Sequence, residues 1–255
     1  FRFQILLSMK RSIHHFVFML SLILLVGCRK SPGDCFTSTG EITKETRRLE
    51  QFNSIKMLDN IDVELVSGNS PMLEVSAGKN LLEKIETTVV DGELIIKNNN
   101  HCNFVRSYDK PLSVRVYFQQ IDSIEYRSVG NLICLDTIIN PDTFKIDVYE
   151  GAGNINLLLN NYRTHLSFHY GTASLTASGY SQLAYIYQVS FGPIDARDLT
   201  SSFVYLENNS TNHTWVRATT VLEATINSIG NVYYFGDPQT ALSGSGSGSL
   251  IRLDE

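Results

Sequence analysis

The stretch from Phe144 to Leu159 reads F-K-I-D-V-Y-E-G-A-G-N-I-N-L-L-L: alternation, two glycines one residue apart, then alternation again. Its variants recur down the chain, and this recurrence constrains the fold more than any other feature. With Gly151 as reference, small or turn-prone residues fall at Ser128, Gly151, Gly171, Gly192, Ser210, Ser228 and Gly246, at intervals of 23, 20, 21, 18, 18 and 18. Two residues further on come Gly130, Gly153, Ala173, Ile194, Asn212, Gly230 and Gly248. Apolar residues alternate on the amino-terminal side (Ile146 and Val148, Leu166 and Phe168, Tyr187 and Val189) and again on the other (Ile155 and Leu157, Leu175 and Ala177, Val232 and Tyr234). Alternation of period two gives a strand one core face and one wet face. Glycine or serine between half-strands permits a kink or bulge at a corner where a Cβ would crowd the backbone.

A period of this length marks a solenoid, whose coils bury their faces only against neighbouring coils. The competing fold is a β-sandwich with hairpins of similar length. Hairpins favour Asn-Gly or Asp-Gly turns, and the chain has a single such pair, Asp91-Gly92. The expectation is therefore an all-β, single-domain, right-handed β-solenoid of 18–23-residue coils, spanning residues 36–255. Before the repeat, short alternating runs such as Ile61-Asp62-Val63-Glu64-Leu65 also read as strands. The segment F-N-S-I-K-M at Phe52 reappears 69 residues later as Ile121-Asp122-Ser123-Ile124-Glu125-Tyr126, so the amino-terminal third belongs to the same stack. Asn80 to Lys84 is the one expected helical turn there, and Asn98 to Lys110 is expected to be a loop. The Gly- and Ser-rich end has the composition of a flexible tail, but Gly246 and Gly248 are in frame and Leu250, Ile251 and Leu253 follow, so it is expected to be the final coil.

Met9 opens a signal-like sequence, with the first eight residues read as upstream of the true start. Lys10 and Arg11 precede an eleven-residue apolar run, Phe16 to Val26, which is too short to span a bilayer. It ends in Leu25-Val26-Gly27-Cys28, which resembles the bacterial lipobox. That resemblance implies cleavage after residue 27, acylation of Cys28, and a polar tether over residues 28–35. An ordinary secretory signal or a single anchor helix is the alternative. Arg29 stands where inner-membrane retention uses Asp, which makes the outer membrane the expected site, on its periplasmic or outer side. Multiple acyl chains meet the condition for stable attachment. Loss of residues 1–27 removes Arg2, Lys10 and Arg11, leaving 18 basic against 26 acidic residues. Such a chain, with no basic run, argues against a nucleic-acid partner.

Three cysteines remain. Cys134 alternates with Leu132 and reads as a buried thiol. Cys35 and Cys102 lie in polar, loop-like stretches and are candidates to pair in an oxidising compartment, although sequence cannot fix connectivity.

At Gly151-Ala152-Gly153-Asn154-Ile155-Asn156 and Ser228-Ile229-Gly230-Asn231-Val232 the chain resembles the bacterial autotransporter adhesin head-domain family, known as head GIN and common in lipoproteins of Bacteroides-like bacteria. The resemblance runs from about Phe52 to the carboxy terminus and includes Phe52, Ile55, Asn60, Ile61 and Val63 of the opening segment. It implies a β-solenoid with an adhesin-like or scaffolding role and supplies no catalytic residues. The repeat departs from the Gly-Asn form at Gly192 to Asp195 and Asn208 to His213, where irregular coils are expected.

The chain contains no H-E-x-x-H, C-x-x-C, phosphate-binding Gly-Lys-Ser/Thr loop or G-x-S-x-G elbow. No cofactor or metal is therefore expected. His165 and His169 flank Ser167 and are either half of a metal site or two solvated histidines. Asp195 and Asp198 are either a carboxylate pair, as glycoside hydrolysis requires, or corner residues. All twelve tyrosines lie at or after Tyr108. Tyr187 reads as core from its frame, whereas Tyr149, Tyr180 and Tyr233 fall on the opposite parity. Exposed rings suit a carbohydrate or protein ligand, although strand propensity alone also places tyrosines there. The function expected is a non-catalytic envelope lipoprotein that binds or scaffolds. A polysaccharide-acting β-helix enzyme and a purely structural envelope protein are the alternatives.

Overall fold

A 15-residue strand followed by a five-residue turn is the unit from which the stack is built. The computed structural model describes residues 38–100 and 112–254, and these are almost entirely strand. In chain order the strands are β1 (Ile42–Arg48), β2 (Ser54–Asp59), β3 (Asp62–Ser67), β4 (Met72–Gly78), β5 (Ile85–Val90), β6 (Glu93–Asn98), β7 (Ser113–Phe118), β8 (Ser123–Ser128) and β9 (Leu132–Cys134). Then follow β10 (Ile138–Val148), β11 (Asn154–Phe168), β12 (Ser174–Gln188), β13 (Ile194–Asn208), β14 (Thr214–Ile226), β15 (Val232–Phe235), β16 (Gln239–Ser243) and β17 (Leu250–Arg252). A 3-10 turn at Leu82–Lys84 lies within the expected helical turn. Cys28, Cys35, Cys102 and most of the expected loop lie outside the described residues.

Parallel pairing joins β10 to β11, β11 to β12, β12 to β13 and β13 to β14, with rungs such as Ile155↔Leu175 and Leu166↔Ile186. Each long strand turns a corner partway along, where the inward parity slips: in β11 the buried positions run Ile155, Leu157, Leu159 and Asn161, then Thr164, Leu166 and Phe168. The coil thus has two walls with the core between them. On the first wall, Ile55, Ile124, Ile146, Leu166, Ile186, Leu206 and Ala224 form one buried column. On the second, Val63, Leu132, Ile155, Leu175, Ile194, Thr214 and Val232 form another. Each fully buried Leu or Ile contributes about 1.5–3 kcal/mol of transfer free energy. The result is a β-solenoid of about six turns.

The amino-terminal third joins this stack out of sequence order. Strand β2 pairs in parallel with both β6 and β8, and β3 with both β7 and β9. The coil made by β2 and β3 is therefore clasped between two coils that follow it in the chain. The 69-residue echo is this pairing: Ser54↔Ser123 and Ile55↔Ile124 are rungs, and the Ser54 and Ser123 hydroxyls lie 2.8 Å apart. The amino-terminal end of the stack is closed by antiparallel strands, β5 on β6 and β4 on β7, with β1 on β4. Asp91 and Gly92 make the β5–β6 turn, with φ of 50° and 80°, as a two-residue turn with both central residues left-handed requires. The charged β1 covers that edge, a usual guard against strand addition. At the other end the Gly- and Ser-rich segment is ordered: β15 pairs with β17, and β14 with β16.

One expectation is corrected. Tyr187 is not core: the residue is 37% exposed, and Gln188 takes the inward position. The rung Phe168↔Gln188 spans 20 residues, whereas counting from Gly171 to Gly192 gives 21 and reverses the parity. The coils around Gly192 and Asn208 are irregular, as expected, although their turns are not: residues 149–153, 169–173, 189–193, 209–213 and 227–231 are all five-residue turns. The irregularity lies at the opposite corner, where register shifts fall between Thr176 and Ser178, Ala196 and Thr200, and Ser201 and Phe203. Removal of two residues at that corner shortens the period from 20 to 18.

Candidate functional site

Inward alternation on the first wall forces its neighbours outward, and in-register stacking lines them up in rows. One row is Lys145, His165, Tyr185, Tyr205 and Glu223; the next is Asp147, Ser167, Tyr187, Glu207 and Thr225. In the first row the His165 and Tyr185 rings stack at 4.7 Å and 13°, and Tyr185 and Tyr205 at 5.3 Å and 18°. The strand spacing of roughly 4.8 Å sets this separation. Between the rows runs a shallow groove of about 330 Å³, lined at one end by His165 and Ser167, along its length by Tyr185, Tyr187 and Tyr205, and at the other end by Glu207 and Glu223. Burial, with Arg163 and Lys145 nearby, holds His165 below its usual pKa against the opposing charge of Asp147. The ring is therefore neutral at pH 7.

A second stack lies beside the groove. Tyr149 and His169 stack at 4.3 Å and 7°, the Arg127 guanidinium lies 4.3 Å from the Tyr149 ring centre, and His169 Nε2 is 3.1 Å from Asp147. A third lies on the second wall, where Trp215 and Tyr233 stack at 5.5 Å beneath Arg197, with His213 edge-on. His165 and His169 thus belong to different aromatic stacks, both half-exposed on the outer face of the wall. Among the described residues no group of three His, Cys, Asp or Glu is placed to hold a metal. Asp195 is a mid-strand residue that accepts from Arg197 Nε at 2.8 Å, and Asp198 is exposed at the register break. Cys134 is a buried free thiol, pushed up to about 12 by desolvation. The sequence reading passed over Tyr185, Tyr205, Glu207 and Glu223; the 20-residue spacing of His165, Tyr185 and Tyr205 was the available signal.

A family model described as "Putative auto-transporter adhesin, head GIN domain" matches residues 51–238. The chain belongs to the head GIN family. No curated protein matches it. Among solved structures it is similar to a "putative adhesin" from Bacteroides fragilis, with a TM-score of 0.77 and 18% identity over 84% of this chain and 97% of the other. It is also similar to a "putative lipid binding protein" from Parabacteroides distasonis, with a TM-score of 0.66 and 19% identity over 85% and 98%. A "putative adhesin" from the same species gives 0.63 and 19% over 84% and 98%. At these identities the likeness establishes the fold.

The head GIN repeat glycines sit where successive turns touch. A Cβ on Gly153 would fall on the Gly130 carbonyl and the Tyr126 hydroxyl, one on Gly130 on the Ile61 carbonyl, and one on Gly151 on the Tyr126 ring. Equivalent clashes with the coil beneath face Gly171, Gly192, Gly230 and Gly248. Of these seven, Gly171 alone has a left-handed φ, +119°. Close backbone approach, rather than turn geometry, is the common demand. The asparagine after the glycine supplies the next link: Asn131 Oδ1 accepts the Asn154 N–H at 3.1 Å, and Asn231 Oδ1 that of Ser249 at 2.9 Å. Inside the turns, Tyr126, Gln188 and Asn208 each donate to the carbonyl four residues ahead, at 2.6, 2.7 and 3.2 Å.

Proposed function

We propose that this chain is a non-catalytic, adhesin-like binding head, tethered to the outer membrane through acylated Cys28 and presenting the first-wall groove to a ligand. The observation that carries the reading is the outward groove of Tyr185, Tyr187 and Tyr205 closed by Glu207 and Glu223. Exposed rings beside hydrogen-bonding groups are a recognition surface. Family membership supports the adhesin-like role. The lipobox-like Leu25 to Cys28 supports the anchor. Among the described residues no helix is long and apolar enough to cross a membrane. Within the same proposal, Cys35 and Cys102 form a disulfide that ties the tether to the 101–111 segment.

Labelling with an alkyne fatty acid tests the anchor: wild type takes up label and Cys28→Ala does not. Protease shaving of intact cells tests exposure. Loss of the head places it outside the cell; protection until lysis places it in the periplasm and removes the adhesin role in favour of scaffolding. Free thiols at both Cys35 and Cys102 under non-reducing mass mapping would refute the disulfide.

A further inference from the structure

The two stacks flanked by an arginine share a three-part arrangement. Arg127 lies over Tyr149 and donates from Nε to Glu125 at 2.6 Å. Arg197 lies over Trp215 and donates from Nε to Asp195 at 2.8 Å. In each, a guanidinium sits between a ring face and a carboxylate, satisfying both the ring quadrupole and the negative charge. The third stack has the ring and the carboxylates without the cation. Tyr205 ends the His165–Tyr185–Tyr205 ladder, because Glu223 takes the next rung. Glu207 lies in the adjoining row, and both glutamates line the groove. Glu207 accepts one bond, from Asn209 at 2.9 Å, and Glu223 has no ion-pair partner among the described residues. The basic residue of that row, Lys145, is at the far end, beyond His165.

We propose that the Tyr205 end of the groove takes an arginine side chain from a protein partner, its guanidinium stacked on Tyr205 and paired with Glu223 and Glu207. The planar cation would complete the arrangement that Arg127 and Arg197 complete within the chain. Guanidinium is favoured over ammonium because it stacks on rings and donates to two oxygens at once. This rests on the reading of the first wall as a binding face, and names what that face recognises.

The test uses the full chain in detergent and saturation-transfer NMR with acetyl-Gly-Arg-Gly-amide, its citrulline counterpart, chitosan hexamer and cellohexaose. The arginine peptide binds and citrulline, its neutral isostere, does not. Glu207→Gln with Glu223→Gln weakens binding about tenfold and Tyr205→Ala about fivefold, while the remote Glu41→Gln leaves it unchanged. Unchanged thermal midpoints show that the variants fold. Raising salt from 0.05 to 0.5 M weakens binding, as screening requires. Equal binding of the citrulline peptide, or full affinity in the double variant, overturns the proposal. Binding of either sugar without the arginine peptide overturns it while leaving the binding face intact. No binding of any probe removes both readings.

Discussion

The clasped amino-terminal coils and the regular coils from β10 onward bury the same kind of column by different routes. From β10 on, the rungs to the following coil join residues 17–21 apart, so every coil rests on its sequence neighbours. In the clasped region the rungs join residues 39, 51 and 69 apart. A linear stack of nearest-neighbour coils can fray from one end. A coil held between two later ones cannot leave without separating both. The comparison assigns global stability to the interlock and local opening to the carboxy-terminal coils, where Leu242, the last rung of the first column, is 56% exposed.

The sharpest way to break that contrast is at the glycines. Gly130→Val drives a side chain into the Ile61 backbone across the interlock and is expected to cost more than about 4 kcal/mol, with loss of the whole transition in urea. Gly248→Val meets the Gly230 carbonyl at the far end and opens the last coil alone, read by hydrogen exchange confined to β15–β17. Equal global losses would end the comparison.

Core truncation comes next. Met57→Ala, at a fully buried position between β6 and β8, is expected to cost about 2–5 kcal/mol and to lower protection throughout the stack. Val232→Ala is expected to cost less, with faster exchange only from β14 onward. A smaller effect is expected at Gln188, whose side chain bonds Gly192 O and the Thr214 hydroxyl. Gln188→Ala leaves both partners unsatisfied and costs about 1–3 kcal/mol, measured by urea denaturation.

The smallest effect is electrostatic and sits on the interlock. Burial pushes the Glu125 carboxyl up, but the bonds from Lys56 and Arg127 outweigh it and hold the group below its usual range. A carboxylate with a depressed folded pKa contributes stability above its unfolded pKa and loses it as pH falls through the folded value. Glu125→Gln should therefore cost about 1 kcal/mol or less at pH 7, and the difference from wild type should vanish below the carboxylate range. A difference that persists in acid would assign the effect to packing.

How much was legible follows from which contacts are periodic. The Ile146, Leu166 and Phe168 alternation and the Gly-Asn spacing showed strands and coil length, because each coil meets the same steric demand. Even the 69-residue echo at Phe52 and Ile121 was visible, although nothing in it disclosed that another coil would lie on the far side of β2. Parity at Tyr187 was misread because a turn residue was taken as the frame, and the true frame is the rung.

What the sequence by itself determined is the all-β stack, its 18–23-residue coils and the head GIN membership, since backbone stacking repeats its requirements at every turn. What only the tertiary structure decided is which coil lies on which, and which outward side chains become neighbours. His165, Tyr185 and Tyr205 are 20 residues apart in the chain and one strand spacing apart in space, and Glu223 faces Tyr205 only because the coil between them has lost two residues at its corner.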